Sequence, residues 1–109
     1  MLAVLIVLAA VAQTPHIKVK EESPGLLKKA RITVDSAYAL ATRRVAGGRA
    51  PEAELEMEDG RLVYSFDLKI AGKAGVEEVL VDAISGAVVS VQHETPAAEA
   101  RHARRPPAG

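Results

Sequence analysis

EAELEMEDGRLVYSFDLKI, residues 52–70, is the stretch on which the fold turns. Apolar and polar residues alternate on both sides of Asp59-Gly60, and period-two alternation around an Asp-Gly pair predicts a β-hairpin with a two-residue turn. Such a turn sets Glu58 opposite Arg61, Met57 opposite Leu62, Leu55 opposite Tyr64 and Ala53 opposite Phe66. Every apolar residue of the first strand then meets an apolar residue of the second. A one-residue slip sets leucine and methionine against arginine and serine, so burial itself specifies the register.

Two further strands follow. After a loop at 71–75, residues 76–82 and 87–92 are rich in valine. The join between them has turn chemistry: the Asp82 carboxylate can accept backbone N–H bonds and Gly86 can adopt positive φ. Setting Ala83 opposite Ala87 brings Val81 to Val89 and Val79 to Val91. No helical stretch separates any of the four strands, so the predicted sheet is antiparallel.

Upstream, residues 32–48 read as a helix. Thr33 is a good N-cap and Asp35 places a carboxylate in the first turn, where the helix dipole favours it. Val34, Ala37, Tyr38, Ala41 and Val45 share one face. Arg43 and Arg44 suit the last turn, Gly47-Gly48 supplies an exit, and Pro51 prevents continuation. The expected class is α+β, one helix on a four-stranded antiparallel sheet, with Leu62, Tyr64, Phe66 and Leu68 beneath the helix.

The flanks read differently. Residues 1–12 are almost wholly apolar and end in Ala10-Val11-Ala12, a small-x-small triplet, which predicts a secretory signal peptide cleaved after Ala12. The run is shorter than the roughly 20 apolar residues that span a bilayer, so no stable membrane span is expected after cleavage. Residues 13–29 carry Pro15, Pro24 and Gly25 with mixed charge and read as an extended arm or linker, with Leu26 and Leu27 as the residues able to tuck onto the domain. Residues 95–109, with Pro96, Pro106, Pro107 and three arginines, read as a disordered tail. The domain proper is then 30–94.

Composition narrows the function. Aromatics make up 3% and Trp is absent, which disfavours base-stacking nucleic-acid binders, and a net charge of zero gives no global field to recruit a polyanion. With no Cys, thiol catalysis, cysteine-ligated zinc and disulfides are all excluded. Ser23, Ser36, Ser65, Ser85 and Ser90 lack a nucleophile-elbow context. His16, His93 and His102 fall in arm, strand end and tail, with no helical i, i+4 pair to hold a metal. No catalytic residue, cofactor or metal site is assigned, and no enzymatic activity is expected. The conspicuous surface feature is Glu52, Glu54, Glu56 and Glu58, about 7 Å apart along one strand and pointing away from the core. They read as a face for a basic protein partner, as a weak cation site, or simply as a solvated strand surface. Asp59, Gly60, Tyr64, Asp82 and Gly86 read as structural.

Taken in order, these residues resemble a known family. Ile32-Thr33 with Ala37, then Ala53-Glu54-Leu55-Glu56, Asp59-Gly60 with Tyr64, and Val81-Asp82-Ala83 with Gly86 follow the pattern of the PepSY domain over about residues 32–91. Ser85 stands where threonine is usual and keeps the hydroxyl. PepSY domains occur in propeptides of thermolysin-type metallopeptidases and in bacterial envelope proteins. The resemblance implies a periplasmic or secreted, non-enzymatic binding module that inhibits or modulates a peptidase or another envelope protein in trans. It supplies no catalytic residues to carry over. The alternative is an envelope sensor or buffer that responds to cations through clustered carboxylates.

Overall fold

The computed structural model describes residues 3, 4, 6 and 16–103. Apart from residues 3, 4 and 6, the expected signal segment lies outside the described residues, as do 104–109 of the tail. The elements run β1 (Lys18–Glu21), a 3₁₀ turn (Leu27–Lys29), α1 (Val34–Arg44), β2 (Glu52–Glu58), β3 (Arg61–Leu68), β4 (Val76–Asp82), β5 (Val88–Glu94) and α2 (Pro96–Ala103). The class is α+β, but the sheet has five strands in the order β1-β2-β3-β4-β5, not four. β2 to β5 are antiparallel, whereas β1 lies parallel to β2, so the sheet is mixed. The fifth strand comes from the stretch expected to be an arm. Its Lys-Val-Lys-Glu is only four residues long and mostly charged, which hides it from a pattern search. Its direction follows from the connection: α1 lies between β1 and β2, and a crossover through a helix returns the chain parallel.

The central hairpin forms in the expected register, with Leu55 opposite Tyr64, Met57 opposite Leu62 and Glu58 opposite Arg61. Both turn residues have positive φ, 49° at Asp59 and 77° at Gly60, as the primed hairpin turn requires. The β4–β5 pair departs from expectation. Val79 faces Val91, but Val81 faces Val88 rather than Val89, because a bulge at Leu80/Val81 inserts one residue. Val89 is consequently displaced from its partner and is 37% exposed.

The helix is shorter than predicted. Thr33 caps it, its hydroxyl oxygen accepting the Ser36 N–H at 3.1 Å, and regular structure ends at Arg44 with Val45 leaving the helical region. Ala37 and Ala41 are fully buried and Val45 nearly so, letting α1 lie close on Leu62, Tyr64, Phe66 and Leu68, all within the same core. The start of the helix is pinned to the sheet. The Tyr64 hydroxyl donates to the Ile32 carbonyl at 2.8 Å, and the Ala83 carbonyl accepts from the N–H groups of Arg31 and Ile32. Ile17 and Leu26, both from the former arm, are also buried in this core.

The described part of the tail is helical where disorder was expected. Residues 96–103 form α2, with the Thr95 hydroxyl oxygen accepting the Ala98 N–H and the Thr95 carbonyl accepting the Glu99 N–H. Pro96 suits a first helical position, where no N–H is needed, and alanine is the best helix former. Residues 96–103, which read as part of a structureless tail, are thus a capped short helix.

Candidate partner-binding face

Alternation along β2 buries Ala53 and Leu55 and turns Glu52, Glu54 and Glu58 to solvent on the face opposite α1. Glu56 belongs to the same row but is only half-exposed. The four glutamates are not equivalent, because their cross-strand neighbours differ. β1 places Lys18 opposite Glu52 and Lys20 opposite Glu54. Arg61 stands opposite Glu58, with its Nε 3.5 Å from Asp82 Oδ2. Glu56 has the fully buried Val63 on its β3 side. On its other side β1 has already ended, and the Glu22 carboxylate turns in to accept the Met57 N–H at 3.0 Å. Burial first, then the charges of Glu54, Glu58, Glu22 and Glu78, push the Glu56 carboxyl up to about 7. The row is therefore half neutralised by two lysines, with its one strongly perturbed acid at the end of β1's coverage.

The same face carries a second acidic group assembled from three strands. Asp67, Glu78 and Glu94 bring carboxylate oxygens to within 4.8 Å of one another. Sequence reasoning missed it because the members are distant in the chain. The signal that would have found it is the β3–β4 register, which sets Asp67 opposite Glu78.

The residues read as structural hold turns. Asp82 Oδ1 accepts the N–H groups of Ile84 and Ser85 at 2.8 and 2.9 Å. Those bonds, that of Ser85 foremost, together with Arg61 hold its carboxyl below the ordinary value. Gly86 has φ 79° and closes the turn onto the Asp82 carbonyl. Two hydroxyls serve a turn and a cap: Ser85 Oγ accepts the Ala87 N–H, and the Thr33 hydroxyl donates to Ser36 Oγ. His93 Nδ1 is 2.8 Å from Glu77 Oε1 on the opposite, core-facing side of the sheet. No described helix is long and apolar enough to cross a membrane.

A family model described as "Peptidase propeptide and YPEB domain", PepSY, matches residues 31–92, which is α1 together with β2 to β5 nearly entire. The chain belongs to the PepSY family. No curated protein and no solved structure matches it. PepSY domains are in general non-catalytic modules of propeptide or inhibitor type, typically extracellular or periplasmic. The match begins at residue 31, so β1 and the buried Ile17 and Leu26 lie outside the part that this PepSY chain shares with its family model.

Proposed function

We propose that this PepSY chain is an exported, non-catalytic module that binds a protein partner in trans, a peptidase or another envelope protein, and restrains or adjusts its activity. The observation that carries the reading is the family match, which spans the helix and four of the five strands. The acidic face gives the module a means of choosing a basic partner, since complementary charge sets specificity and association rate more than affinity. The signal-like residues 1–12 are the basis for placing it in the bacterial envelope.

The test is capture of partners from an envelope extract, paired with inhibition assays on the captured peptidases. It is repeated with Glu52, Glu54, Glu56 and Glu58 all changed to Gln. Loss of partners on substitution, and recovery of peptidase activity, support the reading. Unchanged partners deny the acidic face any role, and the absence of any partner removes the proposal. The cation-responsive alternative is weaker. Calcium takes six to eight oxygens, whereas the tightest carboxylate group on the face brings together three residues. Calorimetry with Ca²⁺, Zn²⁺ and Cu²⁺ separates the two readings, absence of heat removing the cation one.

A further inference from the structure

We infer that the outer edge of β2 is a peptide-docking edge and that residues 17–22 are its tethered occupant, displaced when a partner strand of alternating apolar and basic residues adds parallel to β2. This rests on the partner-binding reading above and says where, and by what chemistry, the partner is held.

β1 shows what the edge accepts. Its backbone joins the sheet through the Lys18 N–H to the Pro51 carbonyl at 3.2 Å and the Glu22 N–H to the Leu55 carbonyl at 2.9 Å. Its apolar residues face the α1 side, with Ile17 buried and Val19 half-buried. Its basic residues face the acidic side, Lys18 opposite Glu52 and Lys20 opposite Glu54. Main-chain bonds with alternate side-chain recognition are the physics of strand addition.

The occupant fills the edge incompletely. β2 continues to Glu58, but β1 stops opposite Leu55. Beyond it the edge donor of Met57 is met by the Glu22 carboxylate, a side chain standing where a longer strand would offer a carbonyl. Continuing the register puts Glu22 opposite Glu56, so the occupant sets acid beside acid where a basic residue would fit. On the core side β1 is loosely covered. An open groove of about 440 Å³ runs beside Val19, between Leu27, Ala30 and Ile32, and Leu27 is 47% exposed. β1 also lies outside the family match.

The experiment uses the full chain and a capped hexapeptide, IKVKVK, which copies residues 17–20 and places Lys opposite Glu56. IEVEVE is the charge-reversed control. Lys20→Pro removes a backbone donor from β1 and loosens the occupant. We expect Lys20→Pro to stay folded and to bind IKVKVK about tenfold or more tighter than the wild type, because the tethered competitor is gone. Spectral shifts should be centred on β2, with IEVEVE not binding. In the wild type, the Lys18 and Glu22 amides should exchange with solvent by local opening, well ahead of the β3–β4 core. The inference is overturned if Lys20→Pro unfolds, if it binds neither peptide or both alike, or if the β1 amides exchange only with the core. Failure here is separable from failure of the function: a partner captured by Lys20→Pro that IKVKVK does not compete away leaves partner binding standing and removes the edge. Peptide binding without any captured partner does the reverse.

Discussion

Changing Glu56 to Gln should alter how stability depends on pH. Glu56 sits between Glu54 and Glu58 on β2, opposite buried Val63, and its carboxyl is raised from 4.5 to about 7, burial being the largest cause and the neighbouring glutamates the rest. A carboxyl raised on folding binds its proton more tightly in the native state. The native state is therefore favoured most below the unfolded value, where both states are protonated, loses ground as pH climbs from 4.5 to about 7, and is level above that. Taken whole, that shift corresponds to roughly 3 kcal/mol. Glu56 is half-exposed and its neighbours are screened by water, which reduces the expected effect to about 1 kcal/mol. Urea unfolding of wild type and Glu56→Gln at about pH 4, 6 and 8 measures it directly, since Gln does not titrate. The variant should gain about 1 kcal/mol on the wild type between the acid and alkaline ends. High salt should remove the neighbours' share and leave the share due to burial. A difference between the two proteins that stays constant with pH, or that runs the other way, would refute the reasoning.

Phe66→Ala removes a fully buried ring that packs 5.9 Å from Tyr38 and 6.4 Å from Tyr64, centroid to centroid. It should cost about 3–5 kcal/mol in a thermal or urea melt, and a melt near wild type would place Phe66 outside the core. Asp82→Ala leaves two turn N–H groups without their acceptor and should cost about 1–3 kcal/mol at neutral pH. Because the Asp82 carboxyl is lowered on folding, its contribution is present above 3.8 and fades as pH falls through the lowered value, so the variant should lose part of the wild type's acid sensitivity. Gly75→Ala should destabilise by well over the roughly 1–2 kcal/mol of a left-handed residue alone, since its φ is 75° and a Cβ there would collide with the Glu94 carbonyl oxygen. Gly72→Ala, at φ 78° in open space, is the matched control, and equal losses in the two variants would show that the collision is relieved freely.

What the sequence disclosed and what it concealed follow one physical division. The central hairpin was legible because two strands separated by two residues carry their own register: Asp59-Gly60 fixes the turn and burial rejects a slip. Thr33 and the Ala37–Ala41 face were legible for the same reason, being local. β1 was not, since Lys18 to Glu21 acquire meaning only against Glu52 to Leu55, across a connection that contains the whole of α1. The bulge beside Val81 was hidden as well, because the five residues 83–87 between the strands admit more than one register between valines that would satisfy either. At the candidate face the glutamate row could be listed from alternation alone. Which of its members meets a cation could not, because β1 decides that. The Asp67, Glu78 and Glu94 group needs three strands in register before it exists at all.

A net charge of zero conceals a sorted molecule, and the sorting couples the β2 edge to protons. The connection on the core side carries Lys28, Lys29, Arg31, Arg43 and Arg44, while Glu54, Glu56, Glu58, Asp67, Glu78 and Glu94 share the opposite face. Against that face β1 sets Lys18 and Lys20, and neither stands opposite Glu56. A bound strand that places a lysine there favours the ionised carboxylate that Glu54, Glu58, Glu22 and Glu78 disfavour, so binding must release a proton wherever Glu56 is still protonated. Linkage makes the effect reciprocal: affinity for IKVKVK should rise with pH up to about 7, the value of the free protein, and level off above it. Glu56→Gln should abolish that rise while leaving the response to salt. Calorimetry in two buffers of different ionisation enthalpy counts the released proton. Affinity that is flat across this range, with no proton released, would show that Glu56 does not meet the incoming strand.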